Sequence, residues 1–152
     1  WDAMFWMGGL VALATALAKS GFIAWIAKLI GTAVAAANMG WIASFVLISL
    51  IYIYSHYCFA SVTARISAMY AAFVAVAAAC GVPAMLVAIT FGCFANLPIS
   101  LTHYGNGCGP VYFGAGYVSQ GEWWRNGFII TTINVVIWLT IGMAWWKFIG
   151  LY

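Results

Sequence analysis

The residues best suited to do chemistry lie in a glycine-rich stretch, 101–110, which reads Leu-Thr-His-Tyr-Gly-Asn-Gly-Cys-Gly-Pro. It offers hydroxyl, imidazole and amide groups inside a longer segment, 66–121, that contains no Asp, Glu, Lys or Arg. Because glycine loses the most conformational freedom on ordering, this stretch is poorly suited to a regular helix. Unpaired peptide groups at membrane depth are costly and persist only where they line a protein cavity. The pattern therefore predicts a site for a polar or charged solute.

A second polar stretch interrupts the apolar segments at 41–80. It runs from Ser55 to Arg65 and includes the hydroxyls of Ser61 and Thr63. Interrupted helices in corresponding places indicate a transporter binding site, because half-helix N-termini attract carboxylates and half-helix C-termini attract Na⁺. The alternative is that Ser61 and Thr63 cap a helix at an ordinary turn. Arg65, an intramembrane cation, is a candidate for attracting an anion or for pairing with a carboxylate from elsewhere.

The two histidines, His56 and His103, could form hydrogen bonds in the core, relay protons or bind a metal. Without carboxylates nearby they make a poor metal site, so packing or hydrogen bonding to a substrate is the favoured role. Asp2 and Glu122 are the only acids, which argues against an enzyme that uses acid–base catalysis. Two other functions stay open: a redox subunit holding haem between the histidines, and a structural subunit whose broken helix is a packing kink.

The composition places the chain in lipid. Of its 152 residues 67% are hydrophobic and 5% charged, and its mean hydropathy is +1.08, whereas a soluble domain has about 25% charged residues. The basic residues are scattered, which excludes nucleic acid as a partner. The four cysteines lack CxxC or zinc spacing and are expected to be free thiols. Because the chain opens at Trp1 without an initiator Met or signal peptide, we expect a piece of a larger membrane protein.

Apolar runs of nearly spanning length predict an all-α integral membrane fold. We expect an uncharged helix at 3–18 and an interfacial helix at 21–38 that ends at Asn38 and Gly40. The other predicted elements begin with helices at 41–60 and 64–80 and a break at 80–83. A span follows whose halves, at 83–97 and 110–117, flank an interruption at 98–109. A polar turn at 119–122 then leads to a last transmembrane helix at 124–148. Four tryptophans form aromatic belts at its ends: Trp123, Trp124, Trp145 and Trp146.

Six motifs carry a family resemblance. In chain order they are Trp-Asp-x-x-Phe-Trp-x-Gly-Gly-Leu-Val-Ala-Leu-Ala at 1–14, Phe-Ala-Ser-x-Thr-Ala at 59–64, Ala-Met-Tyr-x-Ala-Phe at 68–73, Asn-Leu at 96–97, Leu-Thr-His-Tyr-Gly at 101–105 and Tyr-Phe-Gly-x-Gly-Tyr-Val at 112–118. In these motifs the chain resembles the C-terminal part of the divalent anion:sodium symporter family. Within that family it is most similar to bacterial citrate/succinate and tartrate/succinate antiporters and to plastid 2-oxoglutarate/malate translocators.

The resemblance implies an all-α membrane fold that forms part of the second inverted repeat of an elevator-type transporter. Residues 1–38 would be a scaffold helix plus an interfacial arm helix, and 41–152 would be part of the transport domain. The family pattern places in that domain a re-entrant hairpin at 41–80 with its tip at 61–63, a broken helix at 83–117 and a final helix at 124–148. The missing N-terminal part of the same carrier would supply the first repeat.

The function that the resemblance implies is secondary transport of di- or tricarboxylates, such as succinate, citrate, malate, tartrate or 2-oxoglutarate. The implied substrate-binding residues are Ser61, Val62, Thr63, Thr102, His103, Tyr104, Gly105, Asn106 and Gly107. No cofactor is expected; the alternative to exchange is coupling to Na⁺, for which the candidate position is near Tyr57, Ser61 and Gly105. The carrier would be a multi-pass homodimer in the lipid bilayer, in bacteria the inner membrane.

The chain departs from the family pattern at informative positions. Val62 replaces the Asn of the Ser-Asn-Thr motif at the hairpin tip, which removes a side-chain amide, weakens a sodium site in this half and favours anion exchange over Na⁺ symport. Arg65 stands where close relatives commonly have His, and it adds a permanent charge. Asn106 and Cys108 stand where a small hydroxyl residue and Pro are expected.

Overall fold

The structure, a computed structural model, describes residues 8–9, 12–13, 15–17, 19–37 and 39–152, apart from the side chain of residue 35. The motif residues 1–7 and the predicted cap at Asn38 lie outside these residues, and the predicted helix at 3–18 lies partly outside them. The described residues among 8–19 are helical, and Leu17 packs against the core.

Seven α-helices follow, and the described residues contain no strand. They are α1 (Phe22–Ala36), α2 (Trp41–Tyr54), α3 (Val62–Ala79), α4 (Ala84–Cys93), α5 (Gly109–Gly114), α6 (Gln120–Ile137) and α7 (Met143–Phe148). Two 3₁₀ turns lie at Ser55–Cys58 and Leu97–Ser100, and a π-helical segment, Trp138–Gly142, joins α6 to α7. Three runs are long and apolar enough to cross a bilayer: Trp41–Cys58, Val62–Ala79 and Gln120–Phe148. The predicted all-α membrane class is confirmed.

The junction between α2 and α3 is tighter than the sequence predicts. After α2 the 3₁₀ turn continues to Cys58, and α3 begins at Val62 rather than at residue 64. Ser61 precedes it in extended conformation, with φ −153° and ψ 133°, and its Oγ accepts a hydrogen bond from Ala64 N. The helix starts two residues early because this serine supplies the missing acceptor at its first turn.

The break after α3 follows the expected chemistry. Gly81 has φ +82°, a conformation that other residues rarely adopt. Its N–H donates to Ala78 O, and the N–H of Val82 donates to Ala77 O at 3.2 Å. This pair of bonds is a Schellman motif, which satisfies carbonyls at the helix end. Pro83, which has no N–H to lose, then precedes α4.

The broken span ends its first half earlier than predicted. Helix α4 stops at Cys93 rather than near residue 97, and the chain passes through a turn into the 3₁₀ turn at Leu97–Ser100. A continued α-helix would drive the ring of Pro98 into the carbonyl of Phe94, four residues back. Residues 101–108 then have no regular structure before α5 begins. We refer to 101–108 as the unwound loop.

The predicted polar turn at 119–122 is instead the start of α6. Ser119 Oγ accepts from Glu122 N at 3.4 Å, and Ser119 N donates to Glu122 Oε2 at 2.9 Å. This reciprocal capping box lets the helix begin at Gln120, four residues before the predicted start at 124. Farther along, the π-helical segment places Trp138 against the rings of Phe94 and Trp146.

The core lies where α2, α3 and α4 meet. Tyr52 of α2 stacks on Phe91 of α4, with ring centroids 4.6 Å apart, and contacts Phe73 of α3. All three rings are buried. Helix α1 covers α3 from outside with a buried stripe of Ile23, Ala27 and Val34. This packing fixes the ends of α2, α3 and α4, from which the polar segments emerge.

Helix α6 lies directly against the broken span because Gly127 has no side chain. A Cβ at this position would collide with the carbonyl oxygen of Ser100 and lie 3.1 Å from the Cα of Leu101. Both obstacles are main-chain atoms that cannot rotate away. One turn later, Ser100 Oγ and Thr131 Oγ1 lie 3.4 Å apart. The entrance of the unwound loop is therefore held against α6.

We expect Gly127→Ala to lower the free energy of unfolding by about 1–3 kcal/mol, the usual cost of overpacking. Thermal unfolding of the complete purified protein in detergent measures the change. Gly121→Ala is the matched control in the same helix, because nothing lies within 4 Å of its Cβ. This variant should match or slightly exceed the parent, since alanine is the better helix former. Equal stability of the two variants would contradict the close packing at Gly127.

Candidate functional site

The structure brings together the two polar interruptions that the sequence analysis singles out. Tyr104 of the unwound loop donates its hydroxyl proton to the carbonyl oxygen of Tyr57, in the 3₁₀ turn before Ser61, at 2.9 Å. Beside it, His56 Nε2 faces the backbone of Gly105. The end of α2 and the unwound loop thus form one contiguous region, which we call the candidate site.

Gly105 is essential to this contact for a steric reason. A Cβ there would collide with His56 Nε2 and lie 2.9 Å from Thr102 Oγ1. Both side chains are fully buried and cannot swing into solvent. Within the described part of the chain, Thr102 Oγ1 has no hydrogen-bond partner. The missing side chain of Gly105 is what allows the imidazole and the hydroxyl to approach the same point.

Arg65 is fully buried, and its partners differ from the predicted ones. The sequence predicts an anion or a carboxylate as the partner of Arg65, but the guanidinium donates to three main-chain carbonyls. The acceptors are Tyr52 O at 2.9 Å, Phe94 O at 3.1 Å and Ala95 O at 2.7 Å. Its central carbon also lies 4.7 Å from the centroid of the Tyr52 ring. The cation therefore binds the C-terminal ends of α2 and α4, where the helix dipoles concentrate negative potential.

Ser61 caps α3 and also borders a cavity. The cavity, of about 360 Å³, lies between the 58–64 segment and Leu13 and Leu17. The cap uses a lone pair of the hydroxyl oxygen, at 3.4 Å from Ala64 N. Since a hydroxyl has one donor and two acceptor positions, its proton remains available to a ligand. The capping role and a binding role are compatible in this geometry.

The other two tip residues differ in their surroundings. Thr63 is exposed and Val62 is half-buried, and within the described residues neither backbone N–H has an acceptor. These are first-turn amides of an 18-residue helix, so they lie at its positive end. Together with the Ser61 hydroxyl they form a set of donors without an acidic neighbour.

His103 and Tyr104 belong to an aromatic cluster between the unwound loop, α5 and α6. The imidazole of His103 stacks on Phe113 with ring centroids 4.4 Å apart, and Tyr104 contacts it edge-on. Trp124 donates its indole proton to His103 Nδ1 at 3.2 Å. The sequence pattern predicts that Trp124 belongs to an aromatic belt. It could not predict this hydrogen bond, because a hydropathy pattern does not show the partner of an indole N–H.

Asn106 is used by the loop itself. Its Oδ1 accepts from Cys108 N and from Gly109 N, and its Nδ2 donates to Ile99 O at 3.2 Å. The side chain therefore fastens the exit of the loop to its entrance and supplies acceptors for the start of α5. Gly107 is exposed beside it. In this arrangement the Asn106 side chain shapes the loop that carries Thr102 to Gly105.

The sequence predicts a candidate Na⁺ position near Tyr57, Ser61 and Gly105. The carbonyl of Tyr57 already accepts the proton of Tyr104. Among the residues that the structure describes, no three His, Cys, Asp or Glu side chains cluster as metal ligands. The expected sodium site thus remains a prediction.

Comparison with known proteins identifies the class. Residues 1–152 match the family described as the sodium:sulfate symporter transmembrane region, so the chain belongs to this family of membrane transporters. Together with the three candidate spans, this membership makes it part of a multi-pass membrane protein. It points to a transport protein rather than an enzyme.

Three relatives show how far the similarity extends. A Spinacia oleracea protein named dicarboxylate transporter 1, chloroplastic, is 45% identical over 152 residues, which is 100% of this chain and 27% of that protein. The putative malate transporter YflS of Bacillus subtilis is 45% identical over 100% of this chain and 31% of its own length. The inner membrane protein YbhI of Escherichia coli is 35% identical over 97% of this chain and 31% of its own. The chain thus spans less than a third of these relatives.

We expect Gly105→Ala to destabilise the candidate site, since the added methyl group collides with His56. Overpacking of this kind costs about 1–3 kcal/mol. Removing the ring in the double variant His56→Ala/Gly105→Ala should recover part of that loss, which a double-mutant cycle on thermal unfolding measures. Gly114→Ala, with nothing within 4 Å of its Cβ, is the control. Strictly additive effects of the two substitutions would show that the residues do not touch.

Proposed function

We propose that the chain forms one half-site of a secondary carrier that moves di- or tricarboxylates across a membrane by anion exchange. Relatives named as a dicarboxylate transporter and a putative malate transporter support the substrate class. The carrier would be longer than this chain, with a first repeat outside it. Elevator-type movement, a homodimer and, in bacteria, the inner membrane are the corresponding proposals from the family pattern.

The anion half-site is built from the donors at the start of α3. The Ser61 hydroxyl and the amides of Val62 and Thr63 converge on the positive end of the helix dipole, a recurrent arrangement for carboxylates and phosphates. A dianion loses much hydration on entering an apolar region, so it needs several charge-assisted hydrogen bonds in return. His103 of the unwound loop would extend this set of donors, whereas the hydroxyl proton of Tyr104 is already donated to Tyr57 O.

The observation that carries exchange over Na⁺ symport is the environment of Arg65. Carbonyls at half-helix C-termini are the groups that coordinate Na⁺ in broken-helix transporters. Here three such carbonyls, on Tyr52, Phe94 and Ala95, accept hydrogen bonds from the guanidinium. A cation built into the chain therefore compensates the helix ends that a mobile Na⁺ would otherwise compensate. This complements the loss of a side-chain amide at Val62.

A fixed buried charge also explains why the carrier would exchange anions rather than return empty. Arginine keeps its charge in proteins, and carbonyl dipoles stabilise that charge without cancelling it, so a transport domain without substrate would cross the bilayer with this net positive charge. Even on conservative scales, placing an arginine at the bilayer centre costs about 2.5–3.5 kcal/mol of insertion free energy. A bound carboxylate offsets this cost in both directions. The loaded carrier is then the form that crosses.

We expect Ser61→Ala to weaken substrate binding by about 10- to 100-fold, because a hydrogen bond to a charged group contributes about 1.5–3 kcal/mol. Radiolabelled succinate or malate counterflow in proteoliposomes containing the complete carrier measures this change. Ser67→Ala, at an exposed position of the same helix, is the matched control. Ser61→Gly retains most of the capping preference while losing the hydroxyl, so it should be impaired equally. Unimpaired counterflow by Ser61→Gly would remove this hydroxyl from the site.

The exchange mechanism makes a separate prediction about sodium. We expect counterflow by the parent carrier to proceed at the same rate when choline replaces Na⁺ on both sides. Arg65→Ala should lose this Na⁺-independent activity, and Na⁺ should restore part of it by binding the freed carbonyls. Arg65→Lys, which keeps the charge, should retain more of the choline activity. If counterflow by the parent carrier ceases without Na⁺, the proposal that the fixed cation replaces Na⁺ is wrong.

A further inference from the structure

We infer that Trp124 is a positioning residue that sets the tautomer of His103, so that Nδ1 accepts a hydrogen bond and Nε2 carries the ring proton. The inference rests on the proposed function in one respect, that His103 faces the transported anion. The hydrogen bond that carries it runs from Trp124 Nε1 to His103 Nδ1 and is 3.2 Å long. It joins the second turn of α6 to the unwound loop.

The assignment of the proton follows from the chemistry of the two rings. An indole N–H can only donate, so Nδ1 of His103 must present its lone pair. A neutral imidazole has one proton, which therefore lies on Nε2. Within the described residues Nε2 has no hydrogen-bond acceptor, and the side chain is half-buried rather than sealed in the core. This tautomer thus leaves the Nε2–H available to a ligand.

The orientation of the imidazole is fixed by more than this one bond. Phe113 stacks on the ring at 4.4 Å with an interplanar angle of 29°, and Trp124 lies nearly parallel at 6.4 Å. Tyr104 approaches edge-on at 5.2 Å. These contacts hold the plane of the ring, and the hydrogen bond from Trp124 selects which nitrogen faces the indole. Trp124 itself is held by Tyr57, with ring centroids 5.7 Å apart.

The hydrogen bond from Trp124 therefore sets the position of this donor. Within the described residues, no titratable or charged side chain of the elements packed here forms a hydrogen bond with His103. Glu122 is engaged by Ser119 in the capping box.

The direct test is ¹⁵N nuclear magnetic resonance of the complete carrier labelled on histidine, with His103→Gln used to assign the signal. At about pH 8, where a histidine ordinarily carries one ring proton, we expect a protonated Nε2 and an unprotonated Nδ1. A ring proton on Nδ1 would overturn the inference. This measurement needs no substitution of Trp124, so it decides the case even if variants fold poorly.

The functional test replaces Trp124 with Phe, which keeps an aromatic ring and removes the donor. We expect the apparent KM for succinate at about pH 8 to rise about five-fold, since a neutral hydrogen bond no longer fixes the tautomer. Trp123→Phe is the matched control, because Trp123 contacts Phe113 edge-on and has no bond to His103. Its KM should equal the parent's. In a His103→Gln background, Trp124→Phe should cause no further rise in KM.

The outcomes separate this inference from the proposed function. The expected tautomer in a carrier that moves no carboxylate would contradict the proposed function and leave the role of Trp124 intact. Normal carboxylate exchange with the ring proton of His103 on Nδ1, or a Trp124→Phe KM identical to that of the parent, would contradict the inference and leave exchange intact.

Discussion

The arrangement of this chain depends on one buried guanidinium. Arg65 donates to carbonyls at the ends of two helices that the sequence interrupts, and those carbonyls would otherwise be unsatisfied in apolar surroundings. It stands one turn into α3, four residues after Ser61, so the same contact fixes the start of α3 against the ends of α2 and α4. A positive charge used for structure thereby sets where the donors of the proposed anion site lie.

The unwound loop lacks regular hydrogen bonds, yet contacts hold it from several sides. Asn106 bonds the exit of the loop to Ile99, and Tyr104 bonds its middle to the 3₁₀ turn before α3. Helix α6 lies against its entrance, where Gly127 has no side chain. A binding site on irregular backbone requires such support, since ordering mobile donors when the ligand binds costs free energy and weakens binding. The glycines here serve close approach rather than flexibility.

Much of this could be predicted from residue types. The charge-free stretch at 66–121 indicates membrane helices, and Gly81, Pro83 and Pro98 mark breaks because their backbone chemistry leaves few alternatives. Element ends were harder to predict, since Ser119 and Glu122 resemble a polar turn until their reciprocal hydrogen bonds are seen. The partners of Arg65 could not be predicted, because main-chain carbonyls are identical in every residue and only the fold selects three of them. The bond between Trp124 and His103 spans two segments and leaves no periodic signal.

The π-helical segment at 138–142 affects how the last span meets its neighbours. Gly127, Thr131 and Val135 are buried at intervals of four residues, and Met143 and Trp146 continue the buried line beyond the wide turn. Buried residues spaced four apart lie about 40° farther around an α-helix at each step. The wide turn counteracts this rotation because it contains about one residue more than a regular turn. Shortening this turn by one residue would rotate every later side chain by about 100° and swing Trp146 outward. Length changes of a single residue in this span therefore act as rotations of its C-terminal half.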